Sequence, residues 1–178
     1  MKFAFVSGSV ALDFVGTVQS RRDDALDLLT APADLAEWTA AAGLLDAPAP
    51  ATTADLAAAV HLREAIYRLV LASAGASPLA AEDCAVLNRA TARVPVRQDL
   101  RPDGTVVRHG SIGAVLATLA RDAVELLTQS PGQVKECAAP RCTRLYVDRS
   151  HRSSRRWCTM TRCGNRAKAA THRSRHPS

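Results

Sequence analysis

Apolar residues recur three and four positions apart along much of the chain, which is the period of an amphipathic helix. The pattern predicts four helices, which span approximately residues 30–42, 53–75, 77–91 and 111–127. The last is the most regular, because Ile112, Leu119 and Leu126 lie seven residues apart and share one face. Gly43 and Gly75 follow the first two helices at positions where glycine commonly ends a helix. Most of the chain is therefore expected to be α-helical.

Two other stretches have the composition or the period of strands. Residues 3–18 are apolar with β-branched and aromatic members, and they predict a short N-terminal strand that leads into a helix or turn. Between residues 94 and 109, apolar and polar residues alternate on both sides of Asp103-Gly104, which predicts a β-hairpin. The pattern predicts an α+β fold, with a mostly α-helical N-terminal domain over residues 1–130.

Charge divides the 178 residues unevenly, although the net charge is only +6. Residues 1–134 carry 11 Lys and Arg against 15 Asp and Glu, which gives −4, and residues 135–178 carry 12 against 2, which gives +10. An acidic body with a basic tail is typical of proteins that bind nucleic acid, and less often of proteins that bind anionic membranes. The tail is therefore the first place to look for function.

Four of the five cysteines form two matching pairs in this tail, Cys137-x4-Cys142 and Cys158-x4-Cys163. Two short turns with two thiolates each can close a tetrahedral zinc site, which is structural because no position remains for water. The tail has few large apolar groups, so metal binding would supply much of its folding free energy. We predict one structural Zn²⁺ per chain and a small four-cysteine zinc finger over residues 134–176, with two disulfides or four unrelated thiols as the alternatives.

Basic side chains surround the second cysteine pair and predict contact with double-stranded DNA. The predicted contact residues are Arg155, Arg156, Arg162, Arg166, Lys168, Arg173 and Arg175. If the segment after Cys163 is helical, Arg162, Arg166 and Arg173 lie on one face, and guanidinium groups suit contacts with phosphate or guanine. A solvated basic surface without a ligand is the simpler alternative.

Polar residues of the N-terminal domain suggest a second site. Asp13, Thr17 and Arg63 are predicted to line a pocket for a small-molecule effector, although a turn cap or an ion pair would explain them equally well. The sequence has no nucleophile elbow, no H-E-x-x-H and no phosphate-binding glycine loop. We therefore do not expect an enzyme.

Two motifs resemble known families. The segment R-R-W-C-T-M-T-R-C-G-N-R, from Arg155 to Arg166, resembles the CGNR zinc finger, whose name is the motif of residues 163–166. Residues 12–17, L-D-F-V-G-T, resemble the L-D-F-x-N-T motif of the ABATE domain, which precedes this finger in stress-induced transcription regulators; Gly16 replaces the Asn. The resemblance implies zinc-dependent DNA binding and transcriptional control.

Together these observations predict a cytoplasmic, bacterial-type transcription regulator whose finger binds DNA and whose N-terminal domain responds to a small molecule or stress. A short DNA-binding module gains site specificity by dimerising, so a homodimer is expected. No apolar run reaches the roughly 20 residues of a membrane span, and Asp13 interrupts the N-terminal run, so neither membrane insertion nor secretion is predicted. The alternatives are an RNA-binding or protein-interaction adaptor and, less favoured, a small-molecule enzyme.

Overall fold

The computed structural model describes residues 2–129 and 132–169, in which five α-helices build most of the body. The helices are α1 (Val10–Val15), α2 (Pro32–Ala41), α3 (Thr53–Ala74), α4 (Ala81–Thr91) and α5 (Ile112–Gln129). Helices α1, α3 and α5 contact one another, and α4 packs across α3 and α5. None of the described helices is long and apolar enough to cross a membrane.

Short antiparallel strand pairs join these helices. The pairs are β1 (Val18–Gln19) with β2 (Leu26–Asp27), β3 (Arg97–Leu100) with β4 (Val106–His109), and β5 (Val134–Glu136) with β6 (Leu145–Val147). The pair β3–β4 is the hairpin predicted near residues 94–109, with Arg97 opposite His109 and Leu100 opposite Val106. The predicted α+β fold class is confirmed.

The apolar N-terminal run differs from its prediction. Residues Val10–Val15 form α1, and the N-terminal strand is reduced to Val18–Gln19. The Ser9 hydroxyl caps the helix and donates to Asp122 of α5 at 2.5 Å, and the same carboxylate oxygen accepts from Ala11 N at 2.8 Å. Both faces of α1 are buried, so its sequence lacks the polar positions that separate a helical period from a strand period.

Local hydrogen bonds decide where two of the helices start. Thr52 and Asp55 bind each other's backbone N–H, with Asp55 N to Thr52 Oγ1 at 3.1 Å and Thr52 N to Asp55 Oδ2 at 2.9 Å, which starts α3 as predicted. Helix α4 starts at Ala81, and the predicted start at Ser77 is wrong. Ser77 N donates to Ala72 O at 2.8 Å, which keeps Ser77 in the turn after α3.

One strand connects the body to the cysteine-rich segment. Leu145 and Val147 of β6 are buried in the main core, among the aliphatic residues of α1, α3 and α5. Tyr146 points to the opposite face and packs in a second cluster with the paired cysteines. Because side chains alternate along a strand, the three residues of β6 belong to two cores. The division at residues 130–134 therefore stays a prediction.

Candidate metal centre and nucleic-acid interface

The four paired cysteines converge on one point. Their Sγ atoms all lie within 4.8 Å of one another, with Cys142 to Cys158 at 4.0 Å and Cys158 to Cys163 at 3.6 Å. Four sulfurs at about 2.3 Å from a central Zn²⁺ would lie about 3.8 Å apart at the corners of a tetrahedron. All four thiols are free, at separations far beyond the roughly 2.05 Å of a disulfide bond. The predicted ligands, including Cys137, form a donor set that fits a closed zinc site.

Crowding makes this cluster dependent on a cation. The hydrogen bond with Cys158 lowers the pKa of Cys142 to about 5, and the same contact raises the pKa of Cys158 well above its usual range. Burial raises the pKa of Cys163 to about 11. Thiolates this close cannot all ionise unless a positive charge compensates them, and a divalent metal supplies that charge.

Backbone hydrogen bonds shape the first cysteine turn. Cys137 follows β5, and its N–H donates to Arg144 O at 3.0 Å. Cys142 N donates to Ala139 O at 3.0 Å, which closes the turn between the first two ligands. Cys158 N then donates to Cys137 Sγ at 3.4 Å and links the second pair to the first.

The second pair ends in a π-helical turn, Met160–Gly164, which continues as helix over residues 165–169. Gly164 N donates to Thr159 O at 3.0 Å, which sets the wide turn. A Cβ on Gly164 would lie 2.7 Å from Met160 Sδ, but the Met160 side chain is flexible and 49% exposed, so it can move away. Asn165 donates from Nδ2 to Thr161 O at 3.4 Å and thus ties down the metal loop.

Arg155 and Tyr146 brace the finger from within. Tyr146 is 0% exposed, and its hydroxyl donates to Arg155 O at 2.7 Å. The Arg155 guanidinium lies 4.3 Å from the centre of the Tyr146 ring and donates to Trp157 O at 2.9 Å and Val6 O at 3.2 Å. These contacts hold Arg155 between body and finger, and DNA contact by Arg155 stays a prediction.

Asp148 organises the same region, and the sequence interpretation did not single it out. The residue is 2% exposed and accepts from Lys135 Nζ at 2.6 Å, Ser150 N at 3.0 Å and Arg155 N at 3.1 Å. The hydrogen bond from Lys135 holds the pKa of Asp148 well below its usual range. The available signal was its rarity, because Asp148 and Glu136 are the two acidic residues of residues 135–178.

Four of the predicted contact residues are exposed on the finger. These residues are Arg156, Arg162, Arg166 and Lys168. Within residues 2–129 and 132–169, no carboxylate pairs with any of them. Arg156 lies 5.1 Å from the centre of the Trp157 ring, and Trp157 packs against the cysteines. The predicted contacts Arg173 and Arg175 lie outside the described residues.

Two of the residues predicted to bind an effector form hydrogen bonds with other residues of the protein. Arg63 is 2% exposed and donates to Asp27 at 2.8 and 2.7 Å, to Glu64 at 2.9 Å and to Thr17 Oγ1 at 3.1 Å. Burial opposes ionisation of Asp27, but the Arg63 hydrogen bonds, the Leu29 N–H and the charges of Arg63 and Arg21 together lower the pKa of Asp27. The structure thus brings Thr17 and Arg63 together in an internal network, and a ligand role for them stays a prediction.

Asp13 belongs to a different network. Its Oδ1 accepts from Val6 N at 2.9 Å and Ser7 N at 3.0 Å, and burial raises the pKa of Asp13. Ser7 O in turn accepts from Val147 N of β6 at 2.8 Å. Asp13 therefore shapes the segment against which the finger docks, and an effector contact through Asp13 also stays a prediction.

Charged and polar contacts attach the finger to the loop that follows α1. Arg22 pairs with Glu136, and Arg141 pairs with Asp23. Nearby, Arg21 N donates to Thr143 Oγ1 at 3.0 Å. The body and the finger therefore share a polar interface beside the shared strand β6.

Gly16, where the motif has Asn, lies beside Arg144. A Cβ on residue 16 would lie 2.4 Å from Arg144 Nη1. Without that Cβ, the guanidinium donates to Gly16 O at 3.3 Å and to Ala4 O at 3.2 Å. The φ angle of −70° is open to any residue, so a larger side chain at this position would mainly displace the flexible Arg144 guanidinium.

Two family models match the chain. The ABATE model, described as "Putative stress-induced transcription regulator", matches residues 8–130. The CGNR zinc finger model matches residues 133–176. No curated protein matches the chain. The matches have the order that the two motifs predicted, and with the cysteine geometry they confirm the predicted structural Zn²⁺.

Proposed function

The chain belongs to the ABATE family and carries a CGNR zinc finger, and on this basis we propose a transcription regulator whose finger binds double-stranded DNA. The observation that carries the proposal is a set of exposed cations, Arg156, Arg162, Arg166 and Lys168, on metal-braced turns. Rigid turns keep cationic side chains in position before DNA arrives, which reduces the entropy lost on binding.

Several arginines of the body are paired with carboxylates, unlike the exposed cations of the finger. In the body, Arg21 binds Glu64, Arg63 binds Asp27 and Arg68 binds Asp83. Those guanidinium groups form ion pairs within the protein, whereas the four exposed cations of the finger pair with no carboxylate among the described residues. Unpaired cations gain most from phosphate, because DNA binding then releases counterions without breaking an internal ion pair.

The body supplies the regulatory half of the proposal, a response to a small molecule or stress signal. Direct contacts between the body and the finger support this proposal. Ser7, Asp23 and Ala4 of the body all bind backbone or side chains of the finger. A ligand that shifts this interface would therefore move the exposed cations of the finger. We propose action in the cytoplasm, where thiolates stay reduced, and as a homodimer, because two short fingers can read two half-sites.

In vitro selection from random DNA tests the proposal on the full-length, zinc-loaded protein. We expect enrichment of a DNA motif that disappears when zinc is chelated. We also expect an affinity that falls steeply with salt, by about 0.9 log units per neutralised phosphate for each tenfold increase in salt concentration. Arg101→Gln removes one positive charge from the exposed surface of the body. This variant is the control for a general loss of charge and should change neither result.

Two outcomes would reject DNA as the target. A DNA affinity that does not change with salt concentration would exclude phosphate contact by the exposed cations of the finger. Preferential retention of nuclease-sensitive RNA, with no enriched DNA motif, would favour the RNA-binding adaptor. Enrichment in the selection that survives zinc removal would exclude the finger as the DNA-binding element.

A further inference from the structure

A cleft of about 420 Å³ separates the loop after α1 from the zinc finger. Val18 and Gln19 of β1 line one side, and Arg162 and Arg166 line the other, next to the metal ligand Cys163. Small-molecule sites commonly have volumes of about 300–1,000 Å³ and lie between domains. Asp13, Thr17 and Arg63 do not line this cleft, so it is distinct from the effector site that the sequence suggests.

The cationic lining has unused hydrogen-bond donors. Arg144 is held at the wall by Ala4 O and Gly16 O, and these two contacts use only part of its five N–H groups. Arg162 and Arg166 have no ion pair in the described part of the chain. The cleft thus presents three guanidinium groups with capacity to bind an anion.

The acidic residues of the cleft are partly neutralised. Asp23 and Asp24 line it, and both pair with Arg141, Asp24 at 3.6 Å. Zinc with four thiolates carries a formal charge of −2, so the four guanidinium groups, the two carboxylates and the metal site of the lining sum to zero. A lining without net positive charge disfavours a polyphosphate, whereas the unused guanidinium donors suit a compact anion with one or two charges.

The rest of the lining is apolar. Ala4, Val6 and Val18 contribute to the body side of the cleft. An inorganic ion would leave these side chains facing water, whereas an organic anion would cover them and gain roughly 25 cal/mol for each Å² of apolar surface removed from water. The combination points to a ligand with an anionic end and an apolar body.

We propose that this cleft binds a small organic anion, a carboxylate or phosphate monoester, with its charge on Arg144, Arg162 and Arg166 and its apolar part against Val6 and Val18. The regulatory consequence rests on the proposed DNA binding. Arg162 and Arg166 cannot serve the anion and a DNA phosphate together, so each ligand lowers the affinity for the other by the same factor.

The test uses phenyl phosphate and benzoate as anionic probes and benzyl alcohol as the uncharged match. Each is titrated into the full-length, zinc-loaded protein by NMR, with arginine side-chain N–H signals as the readout. We expect saturable binding of at least one anion and none of benzyl alcohol. Gln19→Glu puts a negative charge in the cleft with almost no change in shape and should weaken the anion about fivefold. Gln19→Lys should strengthen it.

Gln98→Glu is the control, because it makes the same change on β3, which does not line the cleft. Absence of saturable binding by both anions, or equal losses in Gln19→Glu and Gln98→Glu, would overturn the proposal. DNA affinity is measured in parallel with and without the anionic probes, and sodium chloride at the same ionic strength replaces the probes in the reference titration. Retained DNA binding with no anion binding rejects only the cleft site, whereas anion binding without DNA binding rejects only the proposed function.

Discussion

The body and the finger reach order by different physical means. The body buries aliphatic and aromatic side chains, and Trp38 packs against Phe14 with ring centres 5.1 Å apart. The finger gathers four cysteines around a metal position and buries few large side chains beside them, chiefly Tyr146 and half-buried Trp157. A short, highly charged segment cannot bury enough apolar surface to offset its conformational entropy, so metal ligands replace the missing core.

Strand β6 shows that the two means of folding overlap. Leu145 and Val147 lie in the body core, while Tyr146 between them lies in the cysteine cluster. The first half of the finger is therefore ordered partly by the body, and the second half, from Cys158 onwards, depends mainly on the metal. Substitutions on each side of this division should separate the two contributions.

The largest expected effect comes from removing a metal ligand. Cys158→Ser should abolish stoichiometric zinc and unfold the second half of the finger, because metal binding supplies on the order of 10 kcal/mol in small zinc modules. Zinc analysis and NMR of the finger measure this loss. The body should keep its helical circular dichroism, since its core does not contain the cysteine cluster.

Cys84→Ser is the matched control, because Cys84 lies on α4 outside the cluster and should leave the zinc content at one per chain. One zinc per chain in Cys158→Ser would refute the four-thiolate site. Collapse of the body helices in that variant would instead show that the metal orders the whole molecule.

Leu145→Ala tests the overlap. Truncation of a buried leucine typically costs about 2–5 kcal/mol, and here the loss should destabilise the body although the residue belongs to the finger segment. Thermal unfolding followed by helical circular dichroism measures the effect. Leu100→Ala, at an exposed position on β3, is the control and should change stability little. An unchanged melting temperature of the body in Leu145→Ala would mean that β6 does not contribute to its stability.

Asp27→Asn tests the internal network of the body. The loss of the charged hydrogen bonds with Arg63 should cost about 2 kcal/mol at neutral pH. Because folding lowers the pKa of Asp27 below its ordinary value of 3.8, its stabilising contribution is complete above that pH and is lost as the pH falls through the folded pKa.

Denaturant unfolding at several pH values measures this difference, which should shrink on acidification below about pH 4. Asp24→Asn makes the same change at an exposed pair and should cost less than Asp27→Asn, because solvent screens the ion pair. A difference between Asp27→Asn and the parent protein that grows on acidification would contradict the assigned pKa direction.

The smallest expected effect concerns a single cation of the finger. Arg166→Gln should leave zinc content and stability unchanged, since Arg166 is exposed and lacks a carboxylate partner in the described residues. The salt dependence of DNA affinity should fall by about 0.9 in the log–log slope, the contribution of one phosphate contact. Fluorescence anisotropy over a salt series measures the slope. An unchanged slope would remove Arg166 from the DNA interface.

Local sequence signals predicted much of the fold and the metal ligands. The helical periods predicted over residues 53–75 and 111–127 correspond to α3 and α5, because the spacing of apolar residues is a property of short segments. The cysteine spacing likewise identified the zinc ligands, because each pair belongs to one short turn. The start of α4 was placed too early, because residues 77–80 are not helical and the helix begins after Ala80 without a side-chain cap.

By itself, therefore, the sequence determined the elements whose causes lie within a few residues: the helical periods, the hairpin, the two cysteine turns and the concentration of charge around them. The tertiary structure alone decided that residues 10–15 are helical, that Arg155 is a brace, and that Arg144 occupies the space beside Gly16. Those outcomes depend on contacts between residues more than a hundred positions apart, and no local pattern carries the identity of such a distant partner.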